Sequence, residues 1–132
     1  SPPTFGAPTT FSSPGAVPLN QPYNLRLDHS GNVWVTDYGN ARLVEFGQSG
    51  SYIKKIAPTI SNFKPTDLAF DASGNIFVTD EVNSQIVEMS SSGSVATEVG
   101  DAVLNHPEGI VSDGNGNYYV ADMNHHQIVV FH

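Results

Sequence analysis

Five side chains of the kinds that ligate metals or move protons fall near one end of the 132-residue chain: His106, Glu108, Asp122, His125 and His126. Imidazole nitrogens and carboxylate oxygens are the donors a divalent ion such as zinc takes, and three must converge to about 2.0–2.2 Å from one ion. His106, Asp122, His125 and His126 form the candidate metal set. A second candidate set is Tyr23, Arg26, Asp67 and Glu108, whose phenol, guanidinium and carboxylates could hold a ligand on a rim or in a channel; Arg26 alone would suit an anion. Each set has a plain structural counterpart. Asp37, Asp80 and Asp122 recur at even spacing, as turn-capping aspartates do. His125 stands where the related stretches carry Asn40 and Asn83, and Asn shares its tolerance of turn geometry. Arg26 needs a partner if buried, and Asp67 is the expected one.

Other chemistry is thinly represented. The stretch "DGNGN" at residues 113–117 resembles the start of a calcium loop but lacks the downstream bidentate Glu, and "DHSGN" and "DASGN" read equally as hairpin turns. No cofactor is expected; zinc or calcium is the ion the alternatives would take. Gly-x-Ser-x-Gly, phosphate-loop and His-Glu-x-x-His motifs are absent, and with no cysteine there is neither a thiol nucleophile nor a disulfide framework. The formal charge of −8, from 13 acidic and 5 basic residues, repels nucleic acid and anionic membranes, so neither is an expected partner. No run is long and apolar enough to insert in a bilayer. The start at Ser1 reads either as a mature end after signal cleavage or as the edge of a longer sequence, so the compartment stays open, with a secreted or periplasmic location favoured.

These residues are placed by a repeat. "PYNLRLDHSGNVWVTDYGNARLVEF" from Pro22, "PTDLAFDASGNIFVTDEVNSQIVEM" from Pro65 and "PEGIVSDGNGNYYVADMNHHQIVVF" from Pro107 are variants of one text, with starts 43 and 42 residues apart. Each reads as short β-branched and aromatic strands separated by Asp, Asn, Ser and Gly turns, and a period of about 40–50 residues built from such strands predicts propeller blades. Trp34, Phe77 and Tyr119 share one position of the second strand and are expected to pack blade on blade.

The units resemble NHL repeats over residues 22 to 131, in the Gly-Asn turn, the aromatic-Val-x-Asp strand and the Asn-His turn. The departures lie in loops: the Gly after the first proline survives only as Gly109, and only His126 keeps the family histidine. The resemblance implies an all-β NHL-type β-propeller of three four-stranded antiparallel blades. Residues 1–21 are then a Pro-rich segment with an orphan outer strand near 9–13, residues 22–64 blade 1, residues 65–106 blade 2 and residues 107–132 blade 3, which has three strands and takes its fourth from an N-terminal segment. NHL-type propellers usually have six blades, so a homodimer is expected, each N-terminal strand closing the partner's last blade. The competing readings are an excised or assembly-forming part of a longer propeller and an open filament.

The function expected on this basis is a non-catalytic binding and assembly module that self-associates into a closed ring and holds a peptide, carbohydrate or protein on its rim or funnel. Some NHL-like propellers are metal-dependent lyases, which makes a lyase or lactonase using the blade 3 cluster the alternative.

Overall fold

A computed structural model describes residues 4–11, 17–100 and 102–132. Runs of β-branched and aromatic residues broken by glycine turns can satisfy their backbone groups locally only as up-and-down antiparallel sheets, and three such sheets form. Blade 1 contains β1 (Pro22–Leu27), β2 (Val33–Asp37), β3 (Arg42–Phe46) and β4 (Tyr52–Ile56), paired in that order. Blade 2 repeats the arrangement with β5 (Pro65–Phe70), β6 (Ile76–Asp80), β7 (Gln85–Met89) and β8 (Val95–Val99). Blade 3 has β9 (Pro107–Ser112), β10 (Tyr118–Asp122) and β11 (Gln127–Phe131), with β11 at an open edge. The first strands β1, β5 and β9 lie side by side along the inner edges of the blades.

The first turn of every blade is wound around one aspartate. Asp28 Oδ1 accepts the backbone N–H groups of Ser30 and Asn32, Asp71 Oδ1 those of Ser73 and Asn75, and Asp113 Oδ1 those of Asn115 and Asn117. Gly31 and Gly74 close their turns at φ +84, a conformation that a Cβ would strain. The "DGNGN" loop is therefore a hairpin turn whose carboxylate faces its own backbone.

The blades stack through two apolar seams. Trp34, Leu43 and Ile56 of blade 1 pack against Phe63 and against Leu68, Ile76, Val78, Val87 and Met89 of blade 2. Trp34 is 2% exposed, and its indole N–H is satisfied by Asp28 Oδ2 at 3.0 Å. Ala69 and Ile86 of blade 2 meet the connector residue Leu104 and Ile110, Tyr118 and Val120 of blade 3, with the Phe77 and Tyr118 rings 4.1 Å apart. Trp34 and Phe77 fill seams as their shared position predicts, whereas Tyr119 is 39% exposed, since none of the described residues forms a blade against it.

The N-terminal segment docks on blade 1 through a side chain. Thr9, Thr10 and Phe11 belong to no strand, while Ser12 and Ser13 lie outside the described residues. A lone segment has no ladder partner, so Phe11 turns its ring onto Phe46, with centroids 5.6 Å apart, instead of pairing. Phe11 and Leu19 thereby cover a small cluster of Val35, Val44 and Phe46 on the otherwise open side of blade 1.

Candidate functional site

One face of the molecule gathers the residues just ahead of β1, β5 and β9 and the turns after β2, β6 and β10. Three buried aspartates hold it together. Asp37 Oδ1 accepts Asn20 N–H at 2.7 Å, Asp80 Oδ1 accepts Lys64 N–H at 2.8 Å, and Asp122 Oδ1 accepts Asn105 N–H at 2.6 Å. Their Oδ2 atoms take Asn40 and Arg42, Asn83 and Gln85, and His125 and Gln127, respectively. The reciprocal bonds run from Gly39 N–H to Asn20 O, Glu81 N–H to Lys64 O, and Asn124 N–H to Asn105 O. All three carboxylates are fully buried, so an unfilled lone pair would be costly, and each is filled in the same way. These bonds, with those from Gln127 and His125, hold the carboxyl of Asp122 below the usual carboxylate range even though burial alone pushes it up.

This clasp accounts for the unit-three histidines. His125 Nδ1 lies 2.8 Å from Asp122 Oδ2, in the role Asn40 and Asn83 play in the other blades. His106 Nδ1 lies 2.8 Å from Asn105 Oδ1 and 3.1 Å from Asn124 Nδ2. His126 ends its turn in the left-handed conformation (φ 55), as Ala41 and Ser84 do. Among the described residues, no group of three His, Asp or Glu side chains converges to hold a metal ion.

The second set comes together in two layers. On the rim, Glu108, by hydrogen bonding and by its charge, together with burial and the charge of Glu81, pushes the Tyr23 phenol up to about 12. The Tyr23 ring packs on Tyr38 at 5.3 Å, and Lys64 Nζ lies 5.4 Å from the centre of the Tyr38 ring. Burial and the charge of Glu108 raise the Glu81 carboxyl, against the opposing effects of His106 and the Tyr38 hydroxyl. Burial, followed by the charge and hydrogen bond of Glu81, likewise raises Tyr38.

Along the inner strands, Arg26 Nη2 meets Asp67 Oδ2 at 2.9 Å and Ile110 O at 3.3 Å, while Ile110 N–H donates to the same carboxylate oxygen at 3.0 Å. One ion pair so ties an inner strand from each blade, and Arg26 has the counter-ion expected of it. Burial raises the Asp67 carboxyl more than Ile110, Leu68 and Arg26 lower it. A cleft of about 280 Å³ beside this pair opens onto the uncovered side of blade 3 and is lined by Gly109, Val111, Tyr119 and Ile128.

Tyr38, Lys64 and Glu81 complete the rim although sequence reasoning does not single them out. Each occupies a position where the three units differ: Tyr38, Glu81 and Met123 come directly after the repeated aspartate, and Gln21, Lys64 and His106 precede the proline. Variation at fixed places in a repeat is the signal that could have found them.

The NHL repeat family model matches residues 104–131. The chain resembles virginiamycin B lyase from Staphylococcus aureus at a TM-score of 0.68 and 17% identity, over 83% of this chain and 40% of that one. It resembles a Bacteroides caccae protein of unknown function at 0.68 and 18%, over 84% and 42% of the two chains. It also resembles the β-propeller domain of Myceliophteria thermophila Cps50 (Swd1) at 0.66 and 14%, over 81% and 36%. The fold is a β-propeller carrying an NHL repeat. The chain spans about 40% of the length of these solved structures, and at such identities the likeness is one of fold, shared by an enzyme and by a domain described only by its fold. No curated protein sequence matches the chain significantly.

Proposed function

We propose that this NHL-type propeller chain is a non-catalytic binding and assembly module that self-associates into a closed ring and presents the Tyr23, Tyr38, Glu81 and Glu108 rim to a peptide, carbohydrate or protein. The supporting observation is the uncovered side of blade 3. Ile128 there is 64% exposed, whereas Leu43 and Ile86, at the same position of blades 1 and 2, are 0% and 3% exposed. Contiguous exposed apolar surface of this kind marks an interaction surface, and a copy of a blade is what covers it elsewhere in the molecule. Light scattering behind a sizing column tests the reading. A two-chain mass that persists on dilution to micromolar concentration is expected, and a folded monomer throughout that range would overturn it.

A metal-dependent lyase or lactonase is the alternative, and it asks His106, Asp122, His125 and His126 to give up the turn contacts they make. Dialysis against zinc followed by metal analysis separates the two. No stoichiometric retention is expected; one ion per chain, lost in His125→Ala, would favour the lyase.

A further inference from the structure

The route taken by the N-terminal segment contains more than a cap. Gly50 and Gly93 are equivalent turn residues of blades 1 and 2, at φ +94 and +95. Over Gly93 sits Ile56, the last residue of the outer strand of the preceding blade, 3.1 Å from where a Cβ would be. Over Gly50 sits the ring of Phe11, at 2.7 Å from the same point. Phe11 and Ile56 also make equivalent contacts below, with Phe46 and Met89 being the corresponding residues of β3 and β7. Phe11 therefore occupies on blade 1 the seat that the outer strand of a preceding blade occupies on blade 2. From Val17 the chain takes the path of an inter-blade connector. Arg42 Nη2 donates to Val17 O at 2.8 Å, Asn40 Nδ2 donates to Pro18 O as Asn83 Nδ2 does to Ser61 O, and Asn20 N–H enters the Asp37 clasp.

We propose that Phe11 is the anchor of a donor strand, docked in advance on blade 1, whose residues up to Phe11 add to the open edge of β11 in a second copy. This rests on the self-association reading and supplies its contact. Residues 4–10 lie exposed ahead of the anchor, and among the described residues Thr9 and Thr10 make no backbone hydrogen bond, which leaves them to offer to a strand edge.

The occupant is a second copy because the surfaces repeat seams the molecule already contains. Tyr119 and Ile128 on blade 3 correspond to Trp34 and Leu43, which pack on Ile76, Val78, Val87 and Met89. Blade 1 presents Val33, Val35, Val44 and Phe46 at those same positions. The new seam traps no charge, since Val111 replaces Arg26, and Val130 replaces Glu45 and Glu88. A contact of blade 3 on blade 1 is head to tail, and two three-bladed chains satisfy both faces in one six-bladed ring.

Phe5 provides an internal control, because it is the same residue type on the same segment and is 101% exposed. Phe11→Ala is expected to weaken association roughly 10- to 100-fold, the range of a buried aromatic anchor, and to leave the Gln127–Phe131 amides that do not bond β10 exchanging freely. Phe5→Ala should match wild type in both readouts. Thr10→Pro, which keeps the anchor but removes a backbone donor, should weaken association with the monomer fold intact by circular dichroism, and it decides the matter if Phe11→Ala fails to fold. A two-chain wild type whose mass and β11 exchange are untouched by Phe11→Ala and Thr10→Pro overturns the donor strand and leaves self-association standing. A wild-type monomer overturns both, and species that lengthen with concentration overturn the closed ring.

Discussion

Val44 and Phe46 on the outer side of blade 1 are 0% and 1% exposed, while Ile128 and Val130 on the outer side of blade 3 are 64% and 40% exposed. Both surfaces belong to terminal blades of one array, and both are built of β-branched and aromatic residues at repeated positions. What separates them is the covering chain: Phe11 and Leu19 lie on one and nothing among the described residues lies on the other. Burial here is decided by the neighbour against a blade and not by the blade's own residues. An apolar position in a repeat is a socket that some instances of the repeat leave empty.

The sharpest way to break this comparison is to truncate a socket residue on each side. Phe46→Ala should cost about 3–5 kcal/mol, as removal of a buried aromatic ring does, whereas Ile128→Ala should change monomer stability by no more than about 0.5 kcal/mol; urea unfolding at a concentration that keeps the protein monomeric measures both. Equal losses would mean that the two sides are not differently covered. A smaller effect is expected from the cap. Phe11→Ala should cost about 1 kcal/mol in the same assay, since the ring is only half-buried, and should make blade 1 resemble blade 3 in binding a hydrophobic dye.

The smallest effect concerns the rim, where Tyr23 of blade 1 and Glu108 of blade 3 meet. A phenol raised from 10 to about 12 favours the neutral form in the folded state, so the contact contributes fully below pH 10 and is lost as pH rises toward 12. Ultraviolet titration should show Tyr23 among the late-ionising tyrosines, and Glu108→Gln should move it back toward 10 and lower stability slightly at neutral pH. A wild-type Tyr23 that titrates at 10 would remove Glu108 from the rim cluster.

The strands and their turns were legible in the sequence because the 42- and 43-residue spacing reports the same local chemistry three times, and the Arg26 and Asp67 pairing came from the cost of burying a lone charge. The metal candidates have a second, structural use in the fold. His125 differs from Asn in its metal chemistry but not in its ability to bond the capping aspartate, and spacing cannot tell those uses apart. Phe11 was legible in part. The sequence places it in the orphan outer strand near 9–13, and the three-dimensional match of Gly50 with Gly93 adds that its ring sits where Ile56 does. Tyr38, Lys64 and Glu81 escaped because attention to what repeats passes over what varies.

The aspartate clasp has a consequence for how such a chain grows. Each clasp joins the connector ahead of a blade to the end of that blade's second strand, so a copied segment of 42 or 43 residues that starts at the connector carries both halves of the joint together. A tandem duplication would arrive with its hinge already fitted, needing no compensating substitution at the new boundary. Length could then drift by whole units while the side chains that directly follow the clasp aspartates, Tyr38, Glu81 and Met123, differ from unit to unit.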